Sequence, residues 1–240
     1  MVAHLDLRRT LTSPRKPRKI SGVAEVCRIG IGRTAHLIVR SKVSNSHKIG
    51  ILAYGSLIND PGVEIREVEV EQVRVETPFP VEFARYSLKR GGAPTLVPVT
   101  KGGARVRAKI LLLSPKVSRQ QAEDMLWRRE TCEVCSGKRY PRLQTRNAVR
   151  VREIKGLEDV DTVLYTDFYA ASKIRHPKPE NLARRAISSA KSRCDGRDGI
   201  SYLLDVKRND VRTPLMEQYE AEILRLAVAD SLSEVLRKLQ

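Results

Sequence analysis

Aromatic side chains are scarce in this chain: one Trp, seven Tyr and three Phe make up 5% of its 240 residues. Phe79, Phe83 and Phe168 do not interleave with the basic runs, which argues against a surface that stacks single-stranded bases. Cysteine is sparse as well. The four residues at 27, 132, 135 and 194 have no regular spacing and make no disulfide framework. Cys132-Glu133-Val134-Cys135 lacks the second pair of a zinc ribbon, and His4, His36, His47 and His176 form no HxxxH or HExxH box. No metal or cofactor is therefore expected. No apolar run approaches the ~18–20 residues of a membrane-spanning helix, and residues 1–20 lack the apolar core of a secretory leader. The expected location is cytoplasmic, with no membrane span.

Acidic residues are short too, 28 against 45 Lys and Arg, for a net charge of +17. The excess is uneven: residues 1–50 hold 11 basic and 2 acidic side chains, a net of +9. Such an arm suits a nucleic acid or another acidic partner. Hydrophobic residues reach 41%, enough to build a core. The expected organisation is a basic, partly flexible N-terminal arm over 1–46, a mainly β core over 47–172 and a helical C-terminal segment over 173–240.

Within the arm, Ser13–Lys19 is broken by two prolines and cannot continue a helix. Gly30-Ile31-Gly32-Arg33-Thr34-Ala35 matches a relaxed dinucleotide fingerprint, but no acid lies between Ala35 and Asn59 to hold a ribose, so a hairpin turn explains it better. Ile49–Tyr54 reads as a buried strand entering a tight turn. The alternation of Val63, Ile65, Val68, Val70, Val73 and Val75 predicts a half-buried strand. Val81–Tyr86 predicts another, and 95–113 reads as a hairpin about Thr100–Gly103. Ser118–Arg129 changes to helical period with Ser118 as cap, and Thr162–Ala171 is a further β run. Beyond the linker 174–179 helices are expected, with Thr213-Pro214 as cap and first residue of one whose apolar face is Tyr219, Ile223, Leu226, Leu232, Val235, Leu236 and Leu239.

Two short motifs carry chemistry. Ala53-Tyr54-Gly55-Ser56-Leu57 runs a strand into a glycine turn, whose backbone N–H groups can converge on a carboxylate or a developing oxyanion. Leu126-Trp127-Arg128-Arg129-Glu130 sets one carboxylate at the end of an apolar helix beside two arginines. Alone, the first is a strand end and the second a surface ion pair. A serine-hydrolase reading of Ser56 fails, since GxSxG is absent.

Together the two motifs resemble the γ-glutamylcyclotransferase superfamily, with its YGSL-type loop and single essential glutamate, and most of all its ChaC-type branch. Arg90-Gly91-Gly92-Ala93-Pro94, Arg105–Leu113 and Gly199-Ile200-Ser201-Tyr202-Leu203 are similar, in order, to that branch's Gly-Pro turn, a strand and a late Gly-x-x-Tyr-Leu element. Three features depart from the pattern: the first 47 residues, Ala108 where glycine is common, and the segment after Glu130 with its two cysteines and Lys138, Arg139 and Arg142. The resemblance implies an α+β fold, a small mixed sheet partly closed into a barrel with short helices, followed here by C-terminal helices. It implies a cofactor-free enzyme that releases 5-oxoproline from a γ-glutamyl small-molecule substrate. Glu130 is the expected catalytic residue, and Tyr54, Gly55, Ser56, Leu57 and Tyr165 the expected substrate-binding ones. Two other readings stand beside it: a non-catalytic binding module of the same fold, and a nucleic-acid-associated protein acting through residues 1–50.

Overall fold

Ile49–Ala53 is buried at all five positions and forms β1, the central strand of a mixed sheet. The computed structural model describes residues 48–143, 145, 147–192 and 195–239. The readings made on the arm, its glycine turn and Cys27 lie outside the described residues, as does Cys194. β1 pairs antiparallel with β5 (Arg107–Leu113), Ile51 opposite Leu111, and parallel with β7 (Val160–Asp167), Gly50 opposite Val163. The outer strands are β2 (Glu69–Glu76), antiparallel to β5, and β6 (Arg150–Leu157), antiparallel to β7. The order is β2-β5-β1-β7-β6, and no closed barrel forms among the described residues. A separate ribbon pairs β3 (Val81–Ser87) with β4 (Ala93–Pro98) through a turn at Gly91 and Gly92, both at positive φ.

Three local expectations are corrected. The stretch 63–75 is not one strand: Val63–Val68 is a helical turn and a half, α1, and the strand starts at Glu69. Ile65 is fully buried and packs with Leu111 and Leu126, and this tertiary contact overrides the local alternation. Nor does 95–113 close as a hairpin, because β4 pairs back to β3 while β5 joins the large sheet. Thr213 does not cap a helix. Its hydroxyl donates to Glu82 Oε1 at 2.6 Å, and the helix α5 (Met216–Ala227) starts three residues later.

The helix α2 (Arg119–Glu130) begins where Ser118 predicts, with a full capping box: the Gln121 amide donates to Ser118 Oγ, and the Ser118 amide to Gln121 Oε1. Its residues Ala122, Met125 and Leu126 cover Ile51, Ala53, Leu111 and Leu164 on one face of the sheet. On the opposite face Leu52, Ala108, Ile110 and Val163 pack with Tyr54, Phe79 and Tyr165. The C-terminal helices are α3 (Pro179–Ser192), α4 (Gly199–Arg208), α5 and α6 (Leu232–Leu239). They bury Leu182, Leu203, Tyr219, Ile223 and Val235 in one cluster with Phe83 and Leu96 of the ribbon. The continuous apolar face read over 219–239 is split between α5 and α6, which part at Val228 in the left-handed region.

Candidate functional site

At the ends of β1 and β7, which run parallel, five segments of chain line an open cavity of about 730 Å3. Tyr54, Ser56 and Leu57 come from the turn after β1, and Thr166 and Phe168 from the end of β7. Arg85 and Arg90 enter from the ribbon, Trp127, Arg129 and Glu130 from α2, and Tyr202 from α4.

The turn owes its shape to Gly55, whose φ of +59° strains any residue with a Cβ. Space forbids one as well, since that Cβ would lie 2.6 Å from the Tyr202 hydroxyl. Gly55–Leu57 then forms a single 3-10 turn. The first amides of such a turn, at Gly55 and Ser56, have no carbonyl to meet within it. Tyr202 is brought there by tight packing of α4. Asp198 caps that helix, accepting from the Ile200 and Ser201 amides at 2.8 and 2.9 Å. The helix start then lies so close to α3 that a Cβ at Gly199 would stand 2.8 Å from the Ala186 Cα. The Tyr202 hydroxyl in turn accepts from the Leu96 amide at 3.3 Å.

Glu130 ends α2, and the two arginines before it point in different directions. Arg129 Nη1 donates to Glu130 Oε1 at 2.6 Å, Nη2 to Ser56 Oγ at 3.2 Å, and Nε to the Asp60 carbonyl at 2.9 Å. One guanidinium thus ties the carboxylate of the helix to the glycine turn. Arg128 faces α1, giving Nε and Nη2 to Glu64 and Nη1 to the Lys138 carbonyl at 2.7 Å. The Arg128 and Arg129 side chains are 10% and 11% exposed and Glu130 20%, so this is not the solvated surface pair that the sequence alone allows. The segment after Glu130 is locked to α2 by the same Arg128.

Burial, and after it the negative charge of Glu130, push the Tyr54 phenol well above its ordinary pKa. Tyr54 therefore stays protonated at neutral pH, and its hydroxyl makes only a long 3.5 Å contact to the Thr166 carbonyl. Burial also raises Tyr202, outweighing the opposite pull of Arg90 and of the Leu96 amide.

No family model matches the chain, and neither a curated protein nor a solved structure is detectably similar to it. The site stands on its geometry. Of the expected residues, Tyr54, Ser56, Leu57 and Glu130 line the one cavity, and Gly55 sits behind the turn against Tyr202. Tyr165 does not line it. Alternate residues of a strand face opposite ways, so Thr166 reaches the cavity while Tyr165 stacks on Phe79, with ring centroids 4.7 Å apart. Arg85, Arg90, Trp127, Thr166 and Phe168 are cavity residues that the sequence reading passed over. Arg90 and Trp127 had a signal, their places in the Arg-Gly-Gly-Ala-Pro turn and the Leu126–Glu130 motif. Cys132 and Cys135 are free and exposed, and no cluster of three metal-binding side chains occurs among the described residues.

Proposed function

We propose that this protein is a γ-glutamylcyclotransferase-like enzyme of the ChaC type, and that the cavity binds a γ-glutamyl amide and converts it to 5-oxoproline. The observation that carries the reading is the Arg129 bridge: 2.6 Å to Glu130 and 3.2 Å to Ser56, joining in one cavity the two motifs on which the resemblance rests. Further support comes from the late Gly-x-x-Tyr-Leu element, whose Tyr202 hydroxyl packs on Gly55 of the turn.

In this reading the α-amine of the glutamyl group attacks its own γ-carbonyl. A new carbon–nitrogen bond closes the five-membered ring, the amide bond breaks, and the former amide nitrogen leaves as an amine. Both reacting atoms belong to one molecule, so the cavity has only to hold a bent conformer. At neutral pH the amine is an ammonium and cannot attack. Glu130 accepts one ammonium proton and releases it to solvent, then takes a second from the newly bonded nitrogen and gives it to the departing one, so one carboxylate serves both steps. The Arg129 contact aims Glu130. The Ser56 amide and the protonated Tyr54 hydroxyl stand as donors to the oxygen on which negative charge develops. No metal or redox group enters this scheme.

The test is a panel of γ-glutamyl amides incubated with the full chain, with 5-oxoproline followed by mass spectrometry. Release by the wild type and its loss in Glu130→Gln is the expected result. No release from any member of the panel overturns the reading.

A further inference from the structure

Arg85 is an unused cation in the wall of this cavity. Its guanidinium lies over the ring of Phe168, 3.9 Å from the centroid, and among the described residues it makes no hydrogen bond or ion pair. Of the neighbouring arginines, Arg129 is spent on Glu130, Ser56 and Asp60, and Arg128 on Glu64, while Arg90 lies over the Tyr202 ring, 5.0 Å from its centroid. Burial depresses the pKa of Arg85, and the charge of Glu130 works against that shift, so the two groups feel each other without being paired.

The backbone is built to aim this side chain. The β3–β4 register runs from Phe83 opposite Leu96 to Arg85 opposite Thr95, so Ala84 is an extra residue, a β-bulge. A bulge turns the following side chain away from the face that regular alternation would give it. Here it is secured on both sides: Thr95 Oγ1 donates to the Arg85 carbonyl at 3.3 Å, and the Ile174 amide to the Ala84 carbonyl at 2.7 Å. Ala84 itself is buried beside Phe168, the ring on which the guanidinium rests.

An unpaired guanidinium, partly desolvated and open to a cavity, asks for an anion. The position of Glu130 says which kind. In an α-amino acid the ammonium and the carboxylate hang from one carbon, so a site for both needs a carboxylate and a cation near each other but not neutralising each other. Glu130 and Arg85 meet that condition. Resting on the cyclotransferase reading above, we infer that Arg85 is the anchor for the α-carboxylate of the γ-glutamyl group, and so the residue that makes the site select an α-amino acid over a simple amine. Held there, the carboxylate fixes the α-carbon and leaves the amine facing Glu130. Phe168 holds the guanidinium in place, and its planar fork suits two parallel N–H···O bonds that a lysine cannot reproduce.

The experiment compares two anilides on the full chain: γ-glutamyl anilide, and 4-aminobutyryl anilide, which differs only by lacking the α-carboxylate and closes to 2-pyrrolidinone. In the wild type, loss of the carboxylate should lower kcat/KM by about 10–10²-fold, the range of a hydrogen bond to a charged group. Arg85→Met should lower the γ-glutamyl value by a similar factor and leave the 4-aminobutyryl value within about twofold. Arg85→Lys should restore part of the difference. Thermal melts confirm that each variant folds. An equal loss on both substrates in Arg85→Met overturns the proposal.

A binding arm keeps this test separate from that of the reaction. Calorimetry with the same two anilides, in a Glu130→Gln background that cannot turn them over, should show a carboxylate preference that disappears on adding Arg85→Met. A preference that persists without Arg85 overturns the anchor even if 5-oxoproline is made. A preference that requires Arg85, in a protein that cyclises nothing, upholds the anchor and overturns the cyclotransferase reading.

Discussion

The hydroxyl of Tyr202 stands where a side chain at Gly55 would begin: a Cβ there would come within 2.6 Å of it. The two residues lie far apart in sequence, one ending the first strand and the other on α4, and their contact fixes how the turn after β1 faces the cavity. That contact and the Arg129 bridge make the site a joint property of the sheet, α2 and the C-terminal helices.

Gly55→Ala should therefore lose most activity without unfolding the sheet. The left-handed backbone alone costs a Cβ-bearing residue ~1–2 kcal/mol, and the clash with Tyr202 adds to it. The second part is separable. In a Tyr202→Phe background the hydroxyl is gone, so Gly55→Ala should be less destabilising there than in the wild type. Urea midpoints of the four proteins measure the difference; additive effects would mean that the two residues do not meet.

Glu130→Gln should abolish 5-oxoproline release by ~10²–10⁴-fold, the usual worth of a general base, while the melt moves little. The amide oxygen can still accept from Arg129, so geometry survives and only the charge and basicity are lost. Turnover within tenfold of wild type would remove Glu130 from the chemistry.

Arg128→Met should do the opposite, destabilising the fold with only a secondary effect on turnover. It strips Glu64 and the Lys138 carbonyl of their partner at a site where the arginine side chain is 10% exposed. The loss lies between that of an exposed pair, at most ~1 kcal/mol, and of a fully buried one, ~3–5 kcal/mol; about 2–3 kcal/mol is expected from chemical unfolding. An unchanged midpoint would show that the segment after Glu130 is held by other contacts.

Glu82 should give the protein a pH dependence opposite to that of an ordinary salt-bridged acid. Burial raises its pKa, against the hydrogen bonds it accepts from the Thr213 hydroxyl and the Phe83 and Leu215 amides. In the unfolded chain it ionises near ~4.3. As pH rises from there through the raised folded value, the unfolded state loses its proton first, and stability falls. Glu82→Gln removes this term. The stability gap between wild type and variant should thus narrow from pH 4 to pH 7 in thermal or urea melts. A gap that widens over that range contradicts the sign.

Local sequence determined the parts whose reasons are local. Ile49–Ala53 has the apolar run of a buried strand, Ser118 is the cap of the helix that follows it, and a glycine after Tyr54 marked the turn. Glu130 and the turn were likewise legible as candidate site residues, because each motif is contiguous. The rest required partners that sequence does not display. Residues 63–68 coil because Ile65 finds a buried seat against Leu111 and Leu126, although their alternation suits a strand. Thr213 has the hydroxyl of a cap, but donates it to Glu82, 131 residues away. Tyr165 and Thr166 are neighbours of similar promise, and only the pleat of β7 decides that the threonine faces the cavity. Arg85 is one arginine among many until a bulge, set by the pairing of β3 with β4, aims it at the space beside Glu130. Side-chain identity supplied the acid, the turn and the cations; only the tertiary packing selected which of them share a cavity, since direction and burial belong to the assembled fold and not to the residue.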